Sequence, residues 1–158
     1  MKMLGLFKKK TVNLLPVMEG EVVPITEVPD QAFSEKMLGD GYAVKPVDGT
    51  VKAPVAGRIV QIFPTNHAFG ILAEKGLEIL VHIGIDTVEL KGEGFRRLAE
   101  PGQEVQAGTP VMEVDLEVLR LRGKESITPV VVTNMHLVKG LKVHGGPTPE
   151  VAAEIELK

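Results

Sequence analysis

Two apolar runs separated by a short turn form the most regular hydrophobic pattern in the chain. They cover residues 67–72 and 77–83 and are rich in β-branched and aliphatic side chains, which favours strands. The four residues between them, 73–76, are turn-type residues that end in glycine. The pattern predicts a β-hairpin, followed by a break at Gly84 and a new turn or helix start at Asp86.

The register of this hairpin decides which side chains meet. If Leu72 faces Leu77, His67 lies directly opposite His82, and directly opposed residues share a face with Cβ atoms roughly 4.5–5.5 Å apart. The same register pairs Thr65 with Gly84, and Phe69 with Leu80. A three-residue loop would instead send the two histidines to opposite faces. We predict the paired register, with both imidazoles on one patch of the sheet.

The rest of the chain consists of short apolar segments broken by turn residues. The Asp48-Gly49 pair between two strand-like segments predicts a second hairpin. Residues 115–122 predict a short helix, with Asp115 as its N-cap and Gly123 as its stop. With 17 Gly and 11 Pro spread along the chain, we predict an all-β fold. It would be a single antiparallel β-sandwich or barrel-sandwich with short helical turns.

Composition narrows the class of protein further. A chain of 158 residues suits one domain with a sizeable core. Its net charge of −3 and lack of a basic stripe with interleaved aromatics argue against nucleic acid as a partner. The absence of cysteine excludes a disulfide scaffold and fits the cytosol. No apolar run approaches the ~18 residues of a membrane span, and the N-terminus lacks the apolar region of a signal peptide.

The first residues differ in character from the rest. Met1 to Lys10 combine apolar side chains with a cluster of lysines. Such a segment can lie on an anionic membrane surface, although a solvated, flexible start is the simpler interpretation because Gly5 interrupts a segment too short to be helical in water. We predict a tail over residues 1–14 and a folded domain over residues 15–158.

The segment from Gly76 to Val88 carries a resemblance to a known family. It fits the pattern G-x-x-φ-φ-V-H-φ-G-φ-x-T-φ, where φ is aliphatic or aromatic, and so resembles the signature of the glucose-type IIA proteins of the bacterial phosphoenolpyruvate-dependent sugar phosphotransferase system. Further similar segments are residues 28–30, 33–41, 65–69, 89–95 and 128–131. The resemblance covers about residues 15–158, and it implies a barrel-sandwich of the duplicated hybrid motif type.

The resemblance also implies a chemistry for the two histidines. His82 matches the histidine that takes a phosphoryl group from the histidine phosphocarrier protein HPr and passes it to the IIB domain of a membrane IIBC sugar permease. His67 would stabilise the phosphoryl oxygens, Thr65 would fix the tautomer of His67, and Gly84 would leave room for the incoming group. Neutral imidazole is a suitable nucleophile because its pKa is about 6.5. The family implies a covalent phosphohistidine and no cofactor.

A partner-binding rim around the histidines is the further implication. An apolar rim protects a phosphohistidine from water, and two acidic residues could meet a basic partner. The rim residues are Phe33, Phe63, Phe69, Leu80 and Val88, with the acids Asp30 and Asp86. This chain has Leu80 where the family often has an aromatic residue, and Gln31 where it often has an aliphatic one.

Other interpretations remain alongside the phosphocarrier. A lipoyl- or biotinyl-type carrier has similar strands but needs a lysine on a hairpin, and the only Met-Lys-Met is at residues 1–3. A zinc enzyme needs three protein ligands and the chain has no H-E-x-x-H motif, although His67 and His82 could share zinc with a partner's carboxylate. A regulatory docking module of the same family is the closer alternative. Similar IIA units serve glucose, N-acetylglucosamine and β-glucoside systems.

Overall fold

The computed structural model describes residues 10–158, and antiparallel strands dominate this part of the chain. The strands are β1 (Thr11–Leu14), β2 (Gly20–Pro24), β3 (Asp40–Pro46), β4 (Thr50–Lys52), β5 (Gly57–Ile62), β6 (Ala68–Ala73), β7 (Glu78–His82), β8 (Phe95–Arg97), β9 (Glu104–Val105), β10 (Pro110–Val114), β11 (Thr128–Val132), β12 (Val138–Val143), β13 (Gly146–Pro147) and β14 (Ala153–Leu157). The helices are α1 (Gln31–Ser34), α2 (Leu116–Leu121) and the 3-10 turns Ile25–Glu27, Glu74–Gly76, Thr87–Leu90 and Met135–Leu137. The predicted all-β fold with short helical turns is confirmed.

The strands form three sheets around one main core. An eight-stranded sheet has the order β13-β2-β3-β11-β7-β6-β5-β9, and the two three-stranded sheets have the orders β1-β14-β12 and β4-β10-β8. The main hydrophobic cluster takes side chains from all three sheets, for example Leu14, Met112 and Val81. The sheets therefore enclose a shared interior, as a sandwich does.

A second, smaller hydrophobic cluster lies on the other face of the large sheet. Along β7, Ile79 and Val81 belong to the main core, whereas Leu80 packs against the second cluster, because successive strand residues point to opposite faces. Phe33 of α1 is part of that second cluster. The segment around α1 thus covers the face of the sheet to which Leu80 and, two residues on, His82 belong.

The prediction of a hairpin at Asp48-Gly49 is wrong. β3 pairs with β2 and β11 in the large sheet, whereas β4 pairs with β10 in another sheet. The side chain of Asp48 accepts a hydrogen bond from the Thr50 N–H at 3.2 Å, which gives a local turn. A Cβ on Gly49 would lie 1.9 Å from the carbonyl oxygen of Val114. The glycine is therefore required by the close approach of β10 at a corner between sheets.

The predicted helix at residues 115–122 is confirmed as α2. Its N-cap, Asp115, accepts hydrogen bonds from the N–H groups of Glu117 and Val118. Leu119 is its buried residue, and the chain continues into Gly123 with a positive φ of 71°. Within residues 10–158, no helix has the length and apolar character needed to cross a membrane.

The predicted boundary between tail and domain is wrong at residues 11–14. These residues form β1, which pairs with β14 in the register Thr11 with Glu156 to Leu14 with Ala153. Val12 is 3% exposed and Leu14 fully buried, so the alternation of this segment places two apolar side chains in the core. The rest of the predicted membrane-surface segment, residues 1–9, lies outside the described residues.

Candidate functional site

The hairpin of β6 and β7 carries the site, but its register differs from the predicted one. Ala68 faces His82, Phe69 faces Val81 and Gly70 faces Leu80, one residue away from the predicted pairing. The loop has three residues, 74–76, closed by a hydrogen bond from Ala73 N–H to Leu77 O at 2.8 Å. Lys75 and Gly76 have φ values of 60° and 83°, and a glycine with positive φ at the end of the loop is typical of a three-residue hairpin loop.

The two histidines nevertheless meet. Their ring centroids lie 5.1 Å apart with an interplanar angle of 80°. His67 precedes the first residue of β6 and belongs to a bend over residues 63–67, in which Asn66 has a φ of 63°. The strand rule that alternates faces does not govern a side chain in a bend. The His67 carbonyl still accepts a hydrogen bond from Ile83 N–H at 2.7 Å, which holds the bend beside the end of β7.

The tautomer of His82 follows from its hydrogen bond. Its Nδ1 lies 2.7 Å from the carbonyl oxygen of Gly84. A carbonyl oxygen can only accept, so Nδ1 carries the proton and donates. Nε2 of the neutral ring is then left with a lone pair. His82 is half-buried at the last position of β7, where one nitrogen is held by the backbone and the other has nucleophilic character.

Two buried threonines, Thr87 and Thr128, hold the loop after His82 in place. Neither was among the predicted site residues. The hydroxyl of Thr87 donates to Ile83 O at 2.6 Å, and the Gly84 N–H donates to Thr128 Oγ1 at 3.4 Å. Both threonines are fully buried. They orient the Gly84 peptide, whose carbonyl fixes His82. Thr87 is the threonine of the signature pattern, whereas no sequence signal pointed to this role for Thr128.

Gly84 is required by its surroundings. Its φ of 73° is in the left-handed region, and a Cβ there would lie 2.7 Å from Thr87 Cγ2 and 2.8 Å from Glu125 O. The predicted role of making room for an incoming group stays a prediction. The observed reason for glycine is the close packing of this loop.

His67 is more enclosed than His82, with 6% of its surface exposed. Its Nδ1 is hydrogen bonded to the hydroxyl of Thr65, and the ring of Phe63 lies against it in an edge-on arrangement with centroids 5.4 Å apart. The family resemblance implied that Thr65 orients His67, and the structure brings these two side chains together.

Both imidazoles are held in the neutral form. Burial lowers the pKa of His67 to about 4, and the neighbouring His82 adds to the decrease. Burial also lowers the pKa of His82, while the Gly84 carbonyl and the charges of Asp30 and Asp86 act in the opposite direction. A neutral imidazole keeps the lone pair that a nucleophile needs at physiological pH.

The predicted aromatic rim is only partly available to a partner. Phe33 is 3% exposed, and its ring lies 5.2 Å from that of His82, so it forms a wall of the site. Phe63 and Leu80 are half-buried. The rim role predicted for Phe69 is wrong, because this residue is fully buried. The shifted register turned it to the core face, opposite Val81.

The predicted acidic positions and Val88 are at the surface. Val88 is 50% exposed and Asp86 is exposed with a φ of 59°. Asp30 is half-buried and caps α1 by accepting from Ala32 N–H at 2.8 Å. Asp30 and Asp86 both act electrostatically on His82. Their contact with a partner stays a prediction.

The residues present do not form a complete metal site. Among residues 10–158, no group of three or more His, Cys, Asp or Glu side chains could hold a metal ion. A catalytic zinc needs three protein ligands, and the neighbouring His67 and His82 provide two. Zinc between these two rings and a partner's carboxylate stays a hypothesis.

Comparisons with known proteins agree on one family. A family model described as the phosphoenolpyruvate-dependent sugar phosphotransferase system, EIIA 1, matches residues 12–138. A solved structure, glucose permease IIA from Mycoplasma capricolum, matches with a TM-score of 0.85 and 40% identity. The match covers 94% of this chain and 97% of that one.

Proposed function

Since the chain belongs to the EIIA 1 family of the phosphoenolpyruvate-dependent sugar phosphotransferase system, we propose that it carries a phosphoryl group on His82 from HPr to a IIB domain. The observation that carries this proposal is the hydrogen bond from His82 Nδ1 to the Gly84 carbonyl at 2.7 Å. It leaves Nε2 as the nitrogen whose lone pair is available. The chain is thus a phosphotransferase component with His82 as its proposed carrier residue.

In the proposed transfer, one nitrogen of His82 forms the bond to phosphorus while the other keeps its proton. The Nε2 lone pair attacks the phosphorus of phospho-HPr, the P–N bond of the donor breaks, and its electron pair returns to the donor imidazole. His82 keeps the proton on Nδ1, so the phosphorylated ring is a cation. The Gly84 carbonyl and the charges of Asp30 and Asp86 favour positive charge on this ring. Attack by the acceptor nucleophile of IIB on the phosphorus reverses these changes and restores the neutral His82.

His67 acts on the phosphoryl oxygens in this proposal. If the Thr65 hydroxyl donates to Nδ1 of His67, the proton of that ring is on Nε2 and can be donated to an oxygen of the group on His82. The ring centroids are 5.1 Å apart, which is close enough for one group to be shared. The negative charge of a phosphoryl group would also raise the pKa of His67 from its low resting value.

The surroundings would protect the intermediate and meet the partners. Phe33 covers one side of His82 and excludes water there. Phe63, Leu80 and Val88 offer partly exposed apolar area, and Asp86 offers negative charge to a basic partner. Steering by such charges acts on the association rate more than on affinity.

The same proposal covers the domain that accepts the phosphoryl group and the cellular compartment in which the chain acts. The similar solved structure is a glucose permease IIA, so the IIB domain of a glucose permease is the first acceptor to test, with N-acetylglucosamine and β-glucoside permeases as the other arms. The chain would act in the cytoplasm, and the lysine-rich segment Met1–Lys10 could hold it weakly at the inner face of the membrane.

The decisive experiment is phosphoryl labelling from phosphoenolpyruvate with the general components of the system. The parent protein should take one phosphoryl group that is stable in base and labile in acid. His82→Ala should take none, whereas the exposed His136→Ala should be labelled like the parent. Labelling of His82→Ala would contradict the assignment of the nucleophile. A parent protein that binds HPr but takes no phosphate would instead be a regulatory docking module.

A further inference from the structure

The bend that carries His67 is held within its own sheet at only a few points. Phe63 N–H donates to Ala68 O at 2.9 Å, and Asn66 N–H donates to Phe63 O at 2.7 Å. Asn66 lies between Thr65 and His67 and adopts the left-handed conformation, which asparagine tolerates better than most residues. Because His67 precedes β6, the regular strand ladder does not determine where its ring points.

A side chain from a different sheet reaches this bend. Arg97, at the end of β8, donates from Nε to Asn66 Oδ1 at 2.6 Å. β8 pairs with β10 in a three-stranded sheet, so this hydrogen bond connects that sheet to the large one. The Arg97 side chain is 31% exposed, compared with 66% for its neighbour Arg96. A hydrogen bond from a charged donor is stronger than a neutral one, and partial burial reduces its competition with water.

We propose that Arg97, acting through Asn66, is a positioning residue for His67. The inference rests on the proposed phosphoryl transfer and gives a role to two residues for which the family resemblance implied none. With its side chain held by Arg97, Asn66 fixes the orientation of the peptide groups on both of its sides. One leads to Thr65, which is hydrogen bonded to His67, and the other leads to His67 itself. The second sheet thus sets the geometry of the group that assists transfer.

The first test compares two arginines on the same strand. Arg97→Met removes the hydrogen bond to Asn66 together with an ion pair to the exposed Glu100 at 3.6 Å, whereas Arg96→Met removes an exposed ion pair with Glu113. Onward transfer to IIB by Arg97→Met should fall about 10- to 100-fold in kcat, since a displacement of about 1 Å can cost 10²-fold. Its KM for IIB and its acceptance from HPr should stay within about twofold. Arg96→Met should match the parent.

A second variant separates positioning from a general defect in folding. Asn66→Gly removes the acceptor but allows the same left-handed backbone, and it should reproduce the kcat loss of Arg97→Met. In a His67→Gln background, Arg97→Met should cause no further loss, because residues that act as one unit are not additive. A further tenfold loss in that background would overturn the proposal, as would parent-like onward transfer by Arg97→Met.

The third readout needs no phosphoryl group. The ¹⁵N signals of the imidazoles in the unphosphorylated protein report their tautomers. Arg97→Met should change the His67 signals and leave the Nδ1–H signal of His82 unchanged. Unchanged His67 signals would overturn the positioning role. If the parent protein accepted no phosphate, the proposed function would fail, and this spectrum would still decide whether Arg97 positions His67.

Discussion

Burial disfavours the protonated, charged form of a histidine relative to the neutral form. The two histidines therefore give the site a specific pH dependence. The pKa of His67 is lowered to about 4 and that of His82 is lowered as well, because burial disfavours the cation. We expect an NMR titration to show that His67 becomes protonated only near pH 4 and that His82 titrates below the ordinary pKa of histidine. A titration of His67 near pH 6.5 would contradict this.

The free energy of unfolding should also depend on pH through these histidines. When the pKa is lower in the folded state, the unfolded chain binds the proton first as pH falls. Above about pH 6.5, His67 should therefore leave the free energy of unfolding unaffected. Between about pH 6.5 and pH 4, its contribution should decrease that free energy. His67→Gln should show a shallower decrease over this range in urea titrations, and an equal slope in both proteins would assign the effect to other groups.

Substitution of His67 tests its part in transfer. Glutamine keeps a hydrogen-bond donor but cannot carry positive charge, so His67→Gln should still accept phosphate from HPr on His82. Onward transfer to IIB should fall by about 10²–10⁴-fold, the usual range for acid–base or charge assistance. Because His67 is buried against Phe63, we also expect a loss of about 1 kcal/mol of stability. Rapid-quench rates for both half-reactions measure the effect, and a parent rate of onward transfer would refute the role.

Gly84 lies in the loop after His82, and Gly140 on β12 is a suitable control glycine. Gly84→Ala forces a left-handed non-glycine residue into contact with Thr87 and Glu125. It should cost about 1–3 kcal/mol of unfolding free energy for the backbone conformation alone, and it should slow phosphate acceptance because the Gly84 carbonyl orients His82. Gly140→Ala, at an open position on β12, should be nearly neutral. Equal denaturation midpoints for the two variants would contradict the packing argument.

At the scale of elements, β1 shows how alternation can be hidden in a segment that resembles a tail. Deletion of residues 1–9 keeps the whole of β1 and serves as the control. Deletion of residues 1–14 also removes the buried side chains of Val12 and Leu14, worth about 1.5–3 kcal/mol each. The longer deletion should thus lose several kcal/mol in urea denaturation. Equal stability of the two truncated forms would show that β1 is dispensable.

The β6–β7 hairpin illustrates what a pattern can and cannot predict. The two strands and the turn were predictable, because apolar runs flank a glycine-containing loop. The register was not, because hairpin loops of three and of four residues are both common. The three-residue loop of the structure goes with a register in which Phe69 enters the core and Gly70 faces Leu80.

At the scale of the whole molecule, the site depends on contacts between distant segments. His82 ends β7, its loop is supported by Thr128 on β11, and Phe33 reaches it from α1. The bend with His67 is held from β8 by Arg97. The large sheet provides the two histidines, while a second sheet and the segment around α1 hold and cover them.

The sequence by itself determined the all-β fold, the N-cap of α2, the hairpin with its histidines and the family to which the chain belongs. These features depend on side-chain type and on spacing between near neighbours, which a sequence displays directly. Only the tertiary structure decided the register, the burial of Phe69, the tautomer of His82 and the contact between Arg97 and Asn66. Each of these depends on which of several similar local conformations packs best against distant residues, and local preferences are too weak to make that choice.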